Sequence, residues 1–72
     1  MRRIARPKEV TGYVYGTDEY GRCAVTVSPQ QEFEIIGIDD FEVVLTNINE
    51  PKQTGLVLEI TRHDFNNNWE EL

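Results

Sequence analysis

The sequence predicts a small, mainly β domain in which five short strands curl around one core, with a single helical turn ahead of the last strand. Three observations carry that expectation. Apolar residues recur with period two over short stretches from Glu9 onward, turn residues punctuate those stretches, and no stretch keeps a helical period beyond two turns. With 72 residues, 39% of them apolar and 28% charged, the chain is long enough for one domain only. So small a domain hides only about 60% of the surface its unfolded chain exposes, so its core must use nearly every apolar residue it has.

Residues 1–8 are expected as a flexible basic arm and residues 9–72 as the folded domain. The first strand is expected around Val10, Gly12 and Val14, which share one face, while Thr11, Tyr13 and Tyr15 share the other. Gly16-Thr17-Asp18-Glu19-Tyr20-Gly21 has glycine at both ends and acids inside, and reads as an excursion rather than a continued strand. Cys23, Val25 and Val27 then alternate inward, and Ser28-Pro29 ends the segment because proline cannot donate to a ladder. Phe33 and Ile35 follow with the same alternation, but Ile36-Gly37-Ile38 changes its parity, which a bulge at Ile36 and Gly37 reconciles. After an Asp39-Asp40 turn, Phe41, Val43 and Leu45 resume the inward face, so the two segments form an antiparallel hairpin. The polar stretch from Thr46 to Gly55 reads as a longer hairpin loop, after which Leu56, Leu58 and Ile60 point inward.

Thr61-Arg62-His63-Asp64 has the spacing of a helix capping box, and Ile60 and Phe65 are placed to form the accompanying hydrophobic staple. Asn66-Asn67-Asn68 is a poor helix former and is expected to stop the helix after about one turn. Trp69 then covers the core from a short final strand. Five strands, a glycine-bounded excursion after the first and a helical turn before the last are the elements of an SH3-like barrel. A small OB-like barrel is the rival, but it places a helix between its third and fourth strands, where this chain has none.

Gln31-Glu32-Phe33-Glu34-Ile35-Ile36-Gly37-Ile38-Asp39-Asp40, followed by Leu56 to Ile60 and by Asp64-Phe65 to Trp69-Glu70, resembles a diffuse group of small phage and mobile-element proteins with SH3-like β-barrels. The resemblance covers about residues 28–72. It implies the barrel fold and a phage or plasmid origin. It carries no activity and no functional residue onto this chain, and it says nothing of the arm or of the Gly16 to Gly21 excursion.

Charge is distributed unevenly. Arg2, Arg3, Arg6 and Lys8 give the arm +4, whereas the remaining three basic and all thirteen acidic residues give the rest of the chain −10. Such a body repels phosphates and membrane surfaces and attracts basic protein surfaces. Cys23 is the single cysteine, which excludes an internal disulfide and a multi-cysteine zinc site and points to a reducing, cytoplasmic compartment. No apolar run approaches the roughly 18 residues that cross a bilayer, and no hydrophobic stretch follows the N-terminal charges as in a secretory leader.

Little in the sequence points to catalysis. His63 adjoins Asp64 and Ser28 is the sole serine, but neighbours on one helical turn do not give the nucleophile, base and orienting acid of a triad. A lone histidine with surface carboxylates is not a metal-ligand pattern, glycine-rich phosphate loops do not occur, and Cys23 lies on an apolar strand face. No cofactor, metal or catalytic residue is therefore expected. The leading expectation is a non-catalytic protein interaction module, a phage or mobile-element modulator of a host or defence protein. It would dock through Tyr13, Tyr15 and Tyr20 with Asp18 and Glu19 on a partner with a basic surface. The alternative is nucleic-acid binding, with Arg2, Arg3, Arg6 and Lys8 on phosphates and the tyrosines stacking on bases. Self-association through an exposed strand edge is a further possibility.

Overall fold

A computed structural model describes residues 2–48 and 56–72. It contains β1 (Ile4–Pro7), β2 (Val14–Asp18), β3 (Gly21–Val25), β4 (Phe33–Ile38), β5 (Glu42–Asn47), β6 (Val57–Thr61), α1 (Arg62–Asn68) and β7 (Trp69–Glu71). The strands form one antiparallel sheet in the order β3-β2-β6-β5-β4-β1-β7. Among the described residues the molecule is thus mainly β with one short helix, but the expected closed barrel of five strands is an open sheet of seven.

β1 was not expected as a strand, and β2 and β3 have other bounds than expected. Residues 4–7 of the expected arm are β1, which pairs with β4 and β7 and buries Ala5 and Pro7 completely while Arg6 faces outward. The Gly16 to Gly21 excursion is instead the β2–β3 hairpin, registered from Val14↔Val25 to Asp18↔Gly21. Gly16 is a close-approach residue rather than a turn residue, because a Cβ there would sit 2.6 Å from the Val57 carbonyl oxygen of β6. Gly21 is the true turn glycine, with φ of +117° after the Glu19-Tyr20 turn. The first strand accordingly begins at Val14, and Val10, expected inward, is 70% exposed.

The central meander follows its hydrophobic pattern. Ile35↔Leu45, Leu45↔Leu58 and Val43↔Ile60 stack buried side chains across β4, β5 and β6 on one face of the sheet. The register shifts between Ile35 and Gly37, so the bulge forms where the parity of the apolar residues changes and leaves Ile36 exposed. Cys23 and Val25 are only half-buried, while Val27 joins the core. Phe41, expected inward, is 83% exposed: the Asp39 carboxylate accepts from the amides of Phe41 and Glu42 at 2.7 and 2.8 Å, holding Phe41 in the turn before β5 begins. Of the expected Thr46 to Gly55 loop, Thr46 and Asn47 belong to β5, and residues 49–55 lie outside the described residues.

Thr61 caps α1 as its sequence implies, its hydroxyl accepting from the Asp64 amide at 3.0 Å. The reciprocal half of the box is replaced, since the Asp64 carboxylate accepts from the Asn68 side chain. That bond, Arg62 to Asn66 at 3.2 Å and Asn67 to His63 at 3.0 Å are three successive i,i+4 pairs. They offset the poor propensity of the asparagine run, so α1 extends over seven residues rather than one turn. Its buried Phe65 stacks on Trp69 at 6.5 Å, and Trp69 meets Phe33 edge-on at 5.4 Å, joining helix, last strand and core.

Candidate functional site

The segment between β1 and β2 is fixed at two points. The Lys8 amide donates to the Asn68 carbonyl at the end of α1, at 2.9 Å, and Thr11 exchanges bonds with Val27, giving its amide to the carbonyl at 2.9 Å and accepting from the amide at 3.0 Å through its hydroxyl. Between these anchors the chain stands off the helix and leaves a cleft of about 350 Å³. Glu9, Val10 and Tyr13 form one wall, and Asp64, Asn67 and Asn68 the other. The cleft is therefore a joint product of the β1–β2 connection and the lengthened helix, neither of which the sequence pattern announces.

All three tyrosines are on the surface: Tyr13 is 79%, Tyr15 67% and Tyr20 90% exposed. Their surroundings differ. Tyr13 lines the cleft, and Tyr15 projects from the outer face of β2 into a shallow, open depression bordered by Arg22, Cys23 and Ala24 of β3. Tyr20 sits at the hairpin tip, where its amide donates to the Asp18 carboxylate at 2.8 Å and Glu19 is exposed beside it. Asp18, Glu19 and Tyr20 are thus brought together by a local turn, whereas no ring contact joins the three tyrosines. Phe41, presented on the rigid Asp39 turn, is an exposed aromatic that sequence alternation misassigns; the aspartate two residues before it is the signal that identifies it as a turn residue.

The N-terminal cations are engaged. Arg3 makes a two-pronged pair with Glu71, each nitrogen 2.8 Å from an oxygen, Arg6 lies 2.7 Å from Glu70, and Arg2 lies 3.9 Å from Glu34. The hydrogen bond from Arg3 holds the Glu71 carboxyl below the usual carboxylate range and raises the guanidinium in turn. Lys8, the fourth cation, has an exposed side chain at the mouth of the cleft. The Asp39 carboxyl is likewise held low by the amides of Glu42 and Phe41. Desolvation, and then the nearby Asp18 carboxylate, push the Cys23 thiol up, so it stays protonated at neutral pH.

His63 and Asp64, adjacent in sequence, are tied separately to Asn67 and to Asn68. Among the described residues no group of three or more His, Cys, Asp or Glu side chains could hold a metal ion, and no helix is long and apolar enough to cross a membrane. The arrangement presents exposed aromatic side chains beside carboxylates, on a hairpin and along a cleft attached to the sheet. Compared with known proteins, the chain matches no family model, no curated protein and no solved structure.

Proposed function

We propose that the protein is a non-catalytic interaction module that docks on a basic protein surface through Tyr13, Tyr15 and Tyr20 together with Asp18 and Glu19. The observation that carries this reading is the exposure of all three tyrosines, at 67–90%, in a chain of 72 residues that needs its apolar side chains inside. Large aromatic side chains left outside such a core supply contact area at low entropic cost when they are buried by a partner. A net charge of −6 gives that surface fast, salt-sensitive association with cations. Without the β2–β3 hairpin, the strand order reads β6-β5-β4-β1-β7 with α1 between β6 and β7. That order is compatible with an SH3-like core, and a role as a phage or mobile-element modulator of a host or defence protein rests on the resemblance of residues 28–72. Nucleic-acid binding through the basic segment is less well supported, because Arg2, Arg3 and Arg6 already face carboxylates.

The test is photocrosslinking from benzoylphenylalanine placed singly at Tyr13, Tyr15 and Tyr20, with the exposed Ile36 on β4, three strands away from β2, as control. A specific crosslink from the tyrosine positions, weakened by salt and absent at Ile36, supports the reading. Equal capture at all four positions refutes it. Tyr13→Ala and Tyr15→Ala variants with unchanged circular dichroism are expected to lose the partner.

A further inference from the structure

The sheet ends on two unlike edges. β7 has three residues, two of which are Glu70 and Glu71 paired to arginines of the neighbouring segment, so it is short and blunted by charge. β3 is longer, contains no proline, carries Arg22 as its single charge and runs on into the uncharged Thr26-Val27. Among the described residues only β2 pairs with it. Its inner side chains, Cys23 and Val25, are half-buried against the core, and its outer face exposes Ala24 next to Tyr15 above the open depression. An edge of this composition is a template for another strand. The strand itself carries no acid in a chain of net charge −6, and the carboxylate beside it is that of Asp18 on β2, near Cys23.

We infer that β3 pairs antiparallel with β3 of a second copy, about a two-fold axis at Cys23, to make one continuous sheet. Pairing over the whole strand sets Gly21 opposite Val25 of the partner subunit, Arg22 opposite Ala24 of the partner subunit, and Cys23 opposite Cys23 of the partner subunit. The strand complements itself. On the outer face, Arg22 lies beside the small Ala24 of the partner subunit and reaches over it toward Tyr15 of the partner subunit, where a guanidinium stacks favourably on a ring. On the inner face, the incompletely covered Cys23 and Val25 gain apolar neighbours. The contact is isologous and closes at two copies. Of the docking surface proposed above it takes up Tyr15, while Tyr13, Glu19 and Tyr20 lie off β3 and stay accessible.

Sedimentation equilibrium and light scattering on the intact chain, from micromolar to near-millimolar concentration, test this. The mass is expected to rise from 8.4 kDa toward that of a dimer. Ala24 is exposed, so its substitution leaves the fold intact, to be verified by circular dichroism. Ala24→Lys sets a lysine opposite Arg22 of the partner subunit and is expected to hold the protein monomeric. Ala24→Glu sets a carboxylate there, twice per dimer, and is expected to tighten association by about 2- to 30-fold. Net charge alone predicts the reverse order, because the lysine variant is the less negative of the two. Mild oxidation should link the wild type and the glutamate variant through Cys23, since directly opposed residues lie about 4.5–5.5 Å apart at Cα, within disulfide reach. A wild type that stays monomeric throughout, a lysine variant that still dimerises, or a glutamate variant that associates no better than the lysine one overturns the inference.

Discussion

Gly16→Ala is the smallest change that tests how β2 is held against β6. A Cβ at this position would lie 2.6 Å from the Val57 carbonyl oxygen, 3.0 Å from Cδ2 of Leu58 and 3.4 Å from the Val57 carbonyl carbon. The closest contact is roughly 0.7–1 Å shorter than a comfortable carbon–oxygen separation. Its other partner is backbone, so no side-chain rotation relieves it, and Leu58 is fully buried. The β2–β6 ladder comprises Gly16↔Leu58 and Thr17↔Val57, so a shift of β2 disturbs the whole connection between the hairpin and the meander. Overpacking of this kind costs about 1–3 kcal/mol, offset by about 0.4–1 kcal/mol from the lower entropy of the unfolded alanine chain. A net loss of about 1–2 kcal/mol lowers Tm by roughly 5–15 °C in a domain of this size. Thermal unfolding followed by the near-ultraviolet signal of Trp69 measures it. Gly12→Ala, whose Cβ would meet nothing within 4 Å, is the control and should be neutral or slightly stabilising. If Gly16→Ala melts with the wild type, the close approach of the two strands is not as described and the hairpin is not anchored there.

Thr61→Ala removes the oxygen that accepts from the Asp64 amide and should lower stability by about 1 kcal/mol, read as a Tm fall of roughly 4–8 °C. Trp69→Ala empties the junction of Phe33 and Phe65 at a cost of about 3–5 kcal/mol, comparable with the stability of so small a domain, and should leave the chain largely unfolded by circular dichroism. Trp69→Phe should cost much less, because it keeps a ring in place and removes an indole N–H that is buried without a hydrogen-bond partner among the described residues. The Asp39 and Glu71 carboxyls are held low in the fold, so their contribution is present above the ordinary carboxylate pKa and lost as pH falls through the depressed values. Tm should therefore drop on acidification from neutrality to about pH 2, and Asp39→Asn, which keeps an acceptor but not the titration, should show a shallower acid limb.

The parts of the fold legible in the sequence are those where one face is buried over several residues. Phe33 and Ile35, Val43 and Leu45, and Leu56, Leu58 and Ile60 alternate cleanly because a strand with one face on the core must do so, and even the bulge at Ile36 shows as a parity change. β1 was not legible, because its inward residues are an alanine and a proline, its outward ones are Ile4 and Arg6, and Arg2 and Arg3 precede it. That pattern also suits a solvated tail, and only pairing with Glu70 and Glu71, more than sixty residues away, makes it a strand. The hairpin was hidden by the two roles of glycine, since Gly16 admits a neighbouring backbone and Gly21 turns the chain, which sequence alone does not separate. Of the candidate site, alternation accounts for the exposure of Tyr15 on β2, but not for Tyr13 ahead of the strand or Tyr20 in the turn, nor for the cleft beside Tyr13, which depends on long-range anchoring of Lys8 and Thr11.

The same anchoring bears on what the surface can recognise. For Arg3 and Arg6 to neutralise phosphates, each would have to exchange a carboxylate on β7 for the ligand, and Glu70 and Glu71 would be left as uncompensated charges next to the incoming polyanion. These exposed pairs are individually weak, so the obstacle is the field that remains rather than the bonds broken. A cationic partner meets the opposite situation. It finds Glu9, Glu19, Asp40, Glu42 and Glu59 exposed and can approach without displacing any of the three arginines that seal β1 to the sheet. Folding the basic segment into the sheet therefore does two things at once: it completes the core through Ala5 and Pro7, and it turns a dipolar sequence into a surface of predominantly one sign.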